Sequence, residues 1–154
     1  MNTVLHFSPR GAVYETSAYT QADIARLVHD QGLECLTSAD RQFDFWFTPS
    51  ARKCQRAVNR AATELLLATT TFTAKNVPLL RGAIVLATHD ADGDLDGLSW
   101  KQLDLLTERN CAVTERDTRT IKKRIMRDVR RRRADAPVQT PAAAQAPVPL
   151  RAVV

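Results

Sequence analysis

The sequence predicts an α+β fold: a small mixed or antiparallel sheet in the order β-β-α-β-β-α-β-α, packed by helices, with a basic C-terminal helix and tail. Three observations carry this. Short apolar runs bounded by Gly, Pro, Asp and Ser recur through residues 1–110. Between them lie stretches whose apolar residues repeat at helical spacing. Beyond residue 110 the Lys and Arg residues concentrate, and then proline takes over. Of 154 residues, 44% are hydrophobic and 25% charged, which is enough for one core and an appendage. The expected organisation is an α+β domain over 1–110, a basic helix over 114–133 and a disordered Ala/Pro-rich tail over 134–154.

The elements follow in order. Thr3 to Phe7 reads as a strand, Ser8 to Gly11 as a turn, and Ala12 to Thr16 as the returning strand. Thr20 with Asp23 three residues on forms a capping box. Ile24, Leu27, Val28 and Leu33 then mark a helix, and Gly32 is placed to end it. Leu33 to Thr37 and Phe43 to Phe47 are the next strands. In the second, Phe43, Phe45 and Phe47 share one face, with Asp44 and Trp46 on the other. Pro49 breaks this strand, and Ser50 is expected to cap a long helix with the stripe Cys54, Val58, Ala61 and Leu65, ending near Thr69. Thr70 to Gly82 has no clear period. Ala83 to Thr88 is apolar at every alternate position on both sides, as a central strand covered on both faces would be. An Asp/Gly loop runs from His89 to Gly97, and Ser99 caps a helix bearing Trp100, Leu103 and Leu106. Thr114 with Asp117 is a further capping box that opens the basic helix, whose apolar seam is only Ile121, Ile125 and Val129. Pro137, Pro141, Pro147 and Pro149 exclude a helix after it.

The charge is segregated. The net charge is +5, but Arg116 to Arg133 holds ten Lys/Arg against two Asp, a net +8, so the remainder sums to −3. Basicity belongs to one segment, and any steering field comes from there. Arg116, Arg119, Lys122, Lys123, Arg124, Arg127, Arg130, Arg131, Arg132 and Arg133 nearly encircle the helix and are the candidate nucleic-acid contacts. Phosphates relieve their mutual repulsion through counterion release. No aromatic residue is interleaved, so contact with the backbone is expected rather than base stacking. An acidic protein surface is the alternative partner. The seam is too narrow for firm insertion into a membrane surface, and no apolar run is long enough for a membrane span. No signal peptide is expected, and Cys35, Cys54 and Cys111 are three widely spaced thiols of a reduced cytoplasmic protein.

Val58-Asn-Arg-Ala-Ala-Thr-Glu-Leu-Leu66, Gly82-Ala-Ile-Val-Leu86, Asp90-Ala-Asp-Gly93 and Gly97-Leu-Ser99 together resemble a family of small bacteriophage and bacterial proteins catalogued as a domain of unknown function. The resemblance covers residues 3–106. It implies a phage or mobile-element setting and a cytoplasmic location, and it implies no activity. The basic helix and tail lie outside it.

Two further groups are candidate sites. Asp90, Asp92, Asp94 and Asp96 could surround a divalent cation, held weakly; no other cofactor is expected. Against the EF-hand pattern, Asp92, Asp94, Asp96 and Gly97 fit the first four checked positions, but Leu103 stands where the bidentate Glu belongs. An Asp-x-Asp after an apolar strand also resembles the Mg²⁺ site of Toprim nucleases, which implies a phosphodiester enzyme. It also needs a separate catalytic acid, for which the candidates, such as Glu15, are weak. Asn59, Arg60 and Thr63 lie within about one helical turn and could face a groove together. His6, His29 and His89 have no Cys or Asp at zinc or nucleophile spacing. The favoured expectation is a non-enzymatic accessory or regulatory protein that touches DNA or RNA through the basic helix and a host or phage protein through its body. The alternatives are the Mg²⁺-dependent enzyme and a pure protein-interaction module.

Overall fold

The computed structural model describes residues 2–49 and 57–135. Its fold is α+β as expected, and of the two sheet types the sequence allows, the sheet is antiparallel. The strands are β1 (Thr3–Phe7), β2 (Val13–Ser17), β3 (Glu34–Thr37), β4 (Asp44–Phe47), β5 (Ile84–His89) and β6 (Leu95–Asp96). The helices are α1 (Gln21–Val28), α2 (Arg60–Thr69), α3 (Trp100–Cys111) and α4 (Glu115–Asp135). Five strands stand in the order β2-β1-β5-β4-β3, and the short β6 pairs with the far end of β5.

Strand β5 is the centre. Leu5 pairs with Leu86 on one side and Phe45 pairs with Leu86 on the other. Residues 84–88 are all buried, which is why the sequence is apolar at both parities. Two cores result. On one face Phe7, Phe43, Phe45, Ile84 and Leu86 meet Leu65 and Leu66 of α2, Leu106 of α3 and Ile121 of α4. On the other Val4, Val85 and Ala87 meet Ile24 and Val28 of α1, with Trp46 at the margin. The alternation of Phe43, Phe45 and Phe47 against Asp44 and Trp46 is the reason β4 divides its side chains this way.

Local chemistry sets the helix ends. Thr20 and Asp23 cap α1 reciprocally. The helix ends earlier than Gly32: His29 takes the left-handed conformation at φ 59°, and the Asp30 N–H reaches back to the Ala25 carbonyl at 3.1 Å. Gly32 instead donates its N–H to Asp30 Oδ1 at 3.0 Å. Helix α2 starts at Arg60, later than the apolar stripe at Val58 predicts. Val58 bridges Arg81, the Asn59 N–H donates to the Leu80 carbonyl at 2.7 Å, and the Gly82 N–H donates to Ala57 at 3.0 Å. Those pairings need an extended chain at 57–59, which overrides the apolar spacing at Val58. The expected cap Ser50 and Cys54 lie outside the described residues. Ser99 and Gln102 cap α3 reciprocally, while Trp100 points into solvent at 79% exposure.

Helix α4 is anchored to the body. Ile121 is fully buried, and Ile125 packs against the same core. Thr114 Oγ1 accepts the Asp117 N–H at 3.2 Å, and Glu115 and Asp117 place negative charge in the first turn. Ala134 and Asp135, expected in the tail, are the last residues of α4. The rest of the tail lies outside the described residues. Among those described, no helix is long and apolar enough to cross a membrane.

Candidate nucleic-acid interface

The ten cations of α4 divide into those the fold uses and those it leaves outward. Arg124 is half-buried, and its Nη1 donates to the carbonyls of Ala74 (3.1 Å) and Val77 (2.7 Å). Burial lowers its pKa below the ordinary arginine value. Arg132 Nε bonds Asp128 at 2.9 Å. Arg119 pairs with Glu115 at 3.3 Å, both side chains well exposed, so that pair is screened and weak. Among the described residues, Arg116, Lys122, Lys123, Arg127, Arg130, Arg131 and Arg133 make no ion pair. All seven are exposed.

Asp128 is the one carboxylate in the second half of this helix before Asp135, and it is fully committed. Arg81 grips it with both guanidinium nitrogens, at 2.6 and 2.8 Å, and Arg132 adds a third bond. The Arg81 hydrogen bonds hold the Asp128 carboxyl below the usual range, against some opposition from burial, and Arg132 adds to the effect. Asp128 therefore pins α4 to the end of the 70–83 segment, and its ion pairs are with Arg81 and Arg132 rather than Arg127 or Arg131.

That segment brings a cation the sequence pattern did not reveal. Lys75 faces α4 and lines a cavity of about 410 Å³ with Thr120, Lys123, Arg124 and Arg127. A second cavity of about 210 Å³ shares Arg124 and Arg127 and adds Leu79, Arg81, Asp128 and Arg131. Lys75 sits alone in an aperiodic stretch, and only the docking of α4 joins it to the basic surface.

The Asn59, Arg60 and Thr63 group does not form a groove. Asn59 is 2% exposed and caps α2, with Oδ1 accepting the Ala62 N–H at 3.3 Å. Its Nδ2 donates to the carbonyls of Phe7 (3.3 Å), Ser8 (3.1 Å) and Gly82 (2.9 Å). Thr63 is fully buried: its hydroxyl donates to the Asn59 carbonyl at 2.8 Å and accepts the Leu80 N–H at 3.1 Å. Only Arg60 is outside, paired with Glu64 at 2.8 Å. These residues tie α2 to the ends of β1 and β5 because buried backbone groups there need partners.

The Asp loop is a hairpin turn between β5 and β6. Asp90 Oδ1 accepts the N–H groups of Asp92 and Asp94, both at 3.0 Å, and Gly93 takes φ 84°. Asp96 Oδ1 accepts the Gly97 N–H at 2.8 Å. The expected convergence of Asp90, Asp92, Asp94 and Asp96 does not occur: among the described residues no three His, Cys, Asp or Glu side chains gather in a way that could hold a metal. The Asp90 carboxylate is instead spent on the backbone N–H groups of the turn.

One polar constellation joins residues far apart in sequence. His89 Nδ1 lies 2.6 Å from Asp44 Oδ2, and Asp44 Oδ1 accepts the Thr37 hydroxyl at 2.8 Å. Cys35 lies on the same face of β3 as Thr37, opposite Trp46. Cys35 is exposed as a residue, yet desolvation, and secondarily the Asp44 charge, push its thiol up to about 11. Its thiolate is therefore less available at neutral pH than that of an ordinary thiol. A separate cleft of about 320 Å³ lies between the β1–β2 hairpin, α2 and α3. Leu5, Phe7, Leu65, Leu103 and Leu106 contribute its apolar lining, and Glu15 and Glu64 are its acidic residues. Sequence spacing gave no sign of either feature, because both are made by strand register and helix docking.

No family model matches the chain, and neither does any curated protein or solved structure.

Proposed function

We propose that this is a non-enzymatic accessory or regulatory protein of the cytoplasm that contacts DNA or RNA backbone non-specifically through α4. The observation that carries this reading is the set of seven exposed cations without ion pairs, among the described residues, on a helix whose mid-helix acid Asp128 is already held by two arginines. A rigid cationic rod fixed to a mildly acidic body favours a polyanion and releases its counterions. The resemblance of residues 3–106 to phage and bacterial proteins supports a phage or mobile-element setting. The Asp-loop enzyme is less favoured, because Asp90 Oδ1 is taken up by the turn and, among the described residues, no three carboxylates gather.

The test is binding of the full chain to a duplex DNA and a structured RNA across a salt series. The comparison protein carries Arg130, Arg131 and Arg133 all changed to Gln. Truncation before α4 would confound the result, since it removes the buried Ile121. The expected result is affinity that falls steeply with salt, with a log–log slope shallower by roughly 3 in the triple variant. Absence of a salt slope, or equal slopes for both proteins, overturns the proposal. The acidic apolar cleft favours a second role for the body in holding a protein partner with a basic, partly apolar segment.

A further inference from the structure

We infer that the cavity between α4 and the 73–77 segment is a seat for a single phosphate group, with Lys75, Lys123 and Arg127 as its ligands. This inference rests on the nucleic-acid reading and deepens it, because it places one phosphate at a defined position rather than along the whole helix.

The geometry begins with Arg124. Its guanidinium is bonded to the Ala74 and Val77 carbonyls, so it clamps the loop onto the helix. The clamp holds Lys75, which lies between those two carbonyls in sequence, against the helix surface carrying Lys123 and Arg127. Lys123 and Arg127 are four residues apart and share one face. Four cations therefore line one cavity of about 410 Å³, and three of them, Lys75, Lys123 and Arg127, are not spent on the clamp. Among the described residues, none of the three has an acidic partner. The remaining polar lining residue, Thr120, donates its hydroxyl to the Arg116 carbonyl at 3.0 Å.

Such an arrangement is unfavourable when empty, because like charges converge without a counter-charge in a partly enclosed space. The fold does not relieve it with an acid. Asp128, the nearest one on α4, is held by Arg81 and Arg132 in the adjoining cavity. A tetrahedral dianion or a phosphodiester supplies several acceptor oxygens and suits this set. Lys75 and Lys123 act as point charges, and Arg127 presents its planar fork. No aromatic residue lines the cavity, so the seat reads the phosphate and not a base.

The occupant could be a backbone phosphate or a free phosphate ion, and the experiment separates them. Four full-length proteins are compared: the native chain, Lys75→Gln, Lys75→Gln with Arg127→Gln, and the control Lys101→Gln, an exposed cation on α3. Thermal unfolding is followed with inorganic phosphate against chloride at matched ionic strength. Duplex DNA affinity is followed in a salt series. For a backbone phosphate, Lys75→Gln weakens DNA binding by roughly five- to tenfold at 0.1 M salt and reduces the slope by about 1; the control does neither. For a free ion, phosphate raises the melting temperature of the native chain and the control, but not that of the double variant, and DNA binding is unaffected by Lys75→Gln. Both outcomes support the seat, and the second would also count against the nucleic-acid reading if no protein in the set binds DNA. The seat is overturned if Lys75→Gln and the double variant match the control in both measurements, even where DNA binding itself persists. Since Lys75 and Arg127 are exposed and hold no other element in place, loss of folding does not obscure the comparison.

Discussion

The start of α2 and the length of α4 are both rich in polar residues, and they use them in opposite ways. Asn59 and Thr63 are buried, and their side-chain polar atoms all meet backbone, of α2 itself, β1, Ser8 or the 80–82 segment. On α4 the fold takes only Arg124, Arg132 and Asp128, and leaves seven cations to the solvent. Polar residues near one another on a helix are therefore not evidence of a binding face. What distinguishes the two regions is whether the polar atoms already have partners.

The largest expected effect is at Asn59. Asn59→Ala removes the cap of α2 and the donors to three carbonyls, and should cost about 2–4 kcal/mol in urea unfolding. The DNA affinity of the folded fraction should not change. A loss of DNA binding without a loss of stability would erase the contrast between the two helices. An effect of about 1 kcal/mol is expected for Asp128→Asn, small because Arg81 is 36% exposed and its share must be discounted for solvent screening. This variant sharpens the contrast in another way. It removes the negative charge that Arg132 pairs with, so nucleic-acid affinity should rise as stability falls. The sign of its pH dependence follows from the depressed carboxyl. The stabilisation is complete above the ordinary value near 3.8 and is lost as the pH falls through the lower folded value. The variant should therefore lose less stability than the native chain on acidification below pH ~4.

The smallest effect concerns His6, on the face of the sheet that α1 covers. Burial, with help from the neighbouring His29, lowers its pKa from 6.5. The unfolded chain then takes up a proton that the folded chain resists. Stability is full above the ordinary value and declines as the pH falls below it, until the folded value is reached. His6→Gln should flatten that decline between pH ~7 and ~5, measured by the urea midpoint. An unchanged profile would show that His6 is as well solvated as the cations of α4.

Much of the fold is legible in the sequence because its signals are local. The Phe43–Phe45–Phe47 alternation, the doubly apolar β5 and the Thr20 and Ser99 capping boxes each act within a few residues. The errors arise where distant pairing wins. Val58 continues a helical stripe, but the bridge to Arg81 draws it into an extended segment. Gly32 looks like a helix stop, but His29 closes α1 three residues earlier. The cations of α4 are plain as a charge run. Lys75 is not, because its membership of the basic surface depends on Arg124 gripping the Ala74 and Val77 carbonyls. The His89–Asp44 contact is hidden for the same reason, spanning 45 positions.

The central position of β5 has a consequence for the order in which the chain can acquire its structure during synthesis. β1 and β4 are neighbours of β5 and not of each other, so the two hairpins β1–β2 and β3–β4 emerge from the ribosome with nothing to join them. The sheet can close only when residues 84–89 arrive and slot between two strands made earlier. Until then Phe43, Phe45 and Phe7 have only partial cover, and the nascent chain offers two separate strand edges for mispairing. Ile121 follows later still and seals the same core. A nascent chain stalled between α3 and α4 would thus have a complete sheet with an unsealed apolar face, a stage at which protection by a chaperone would matter.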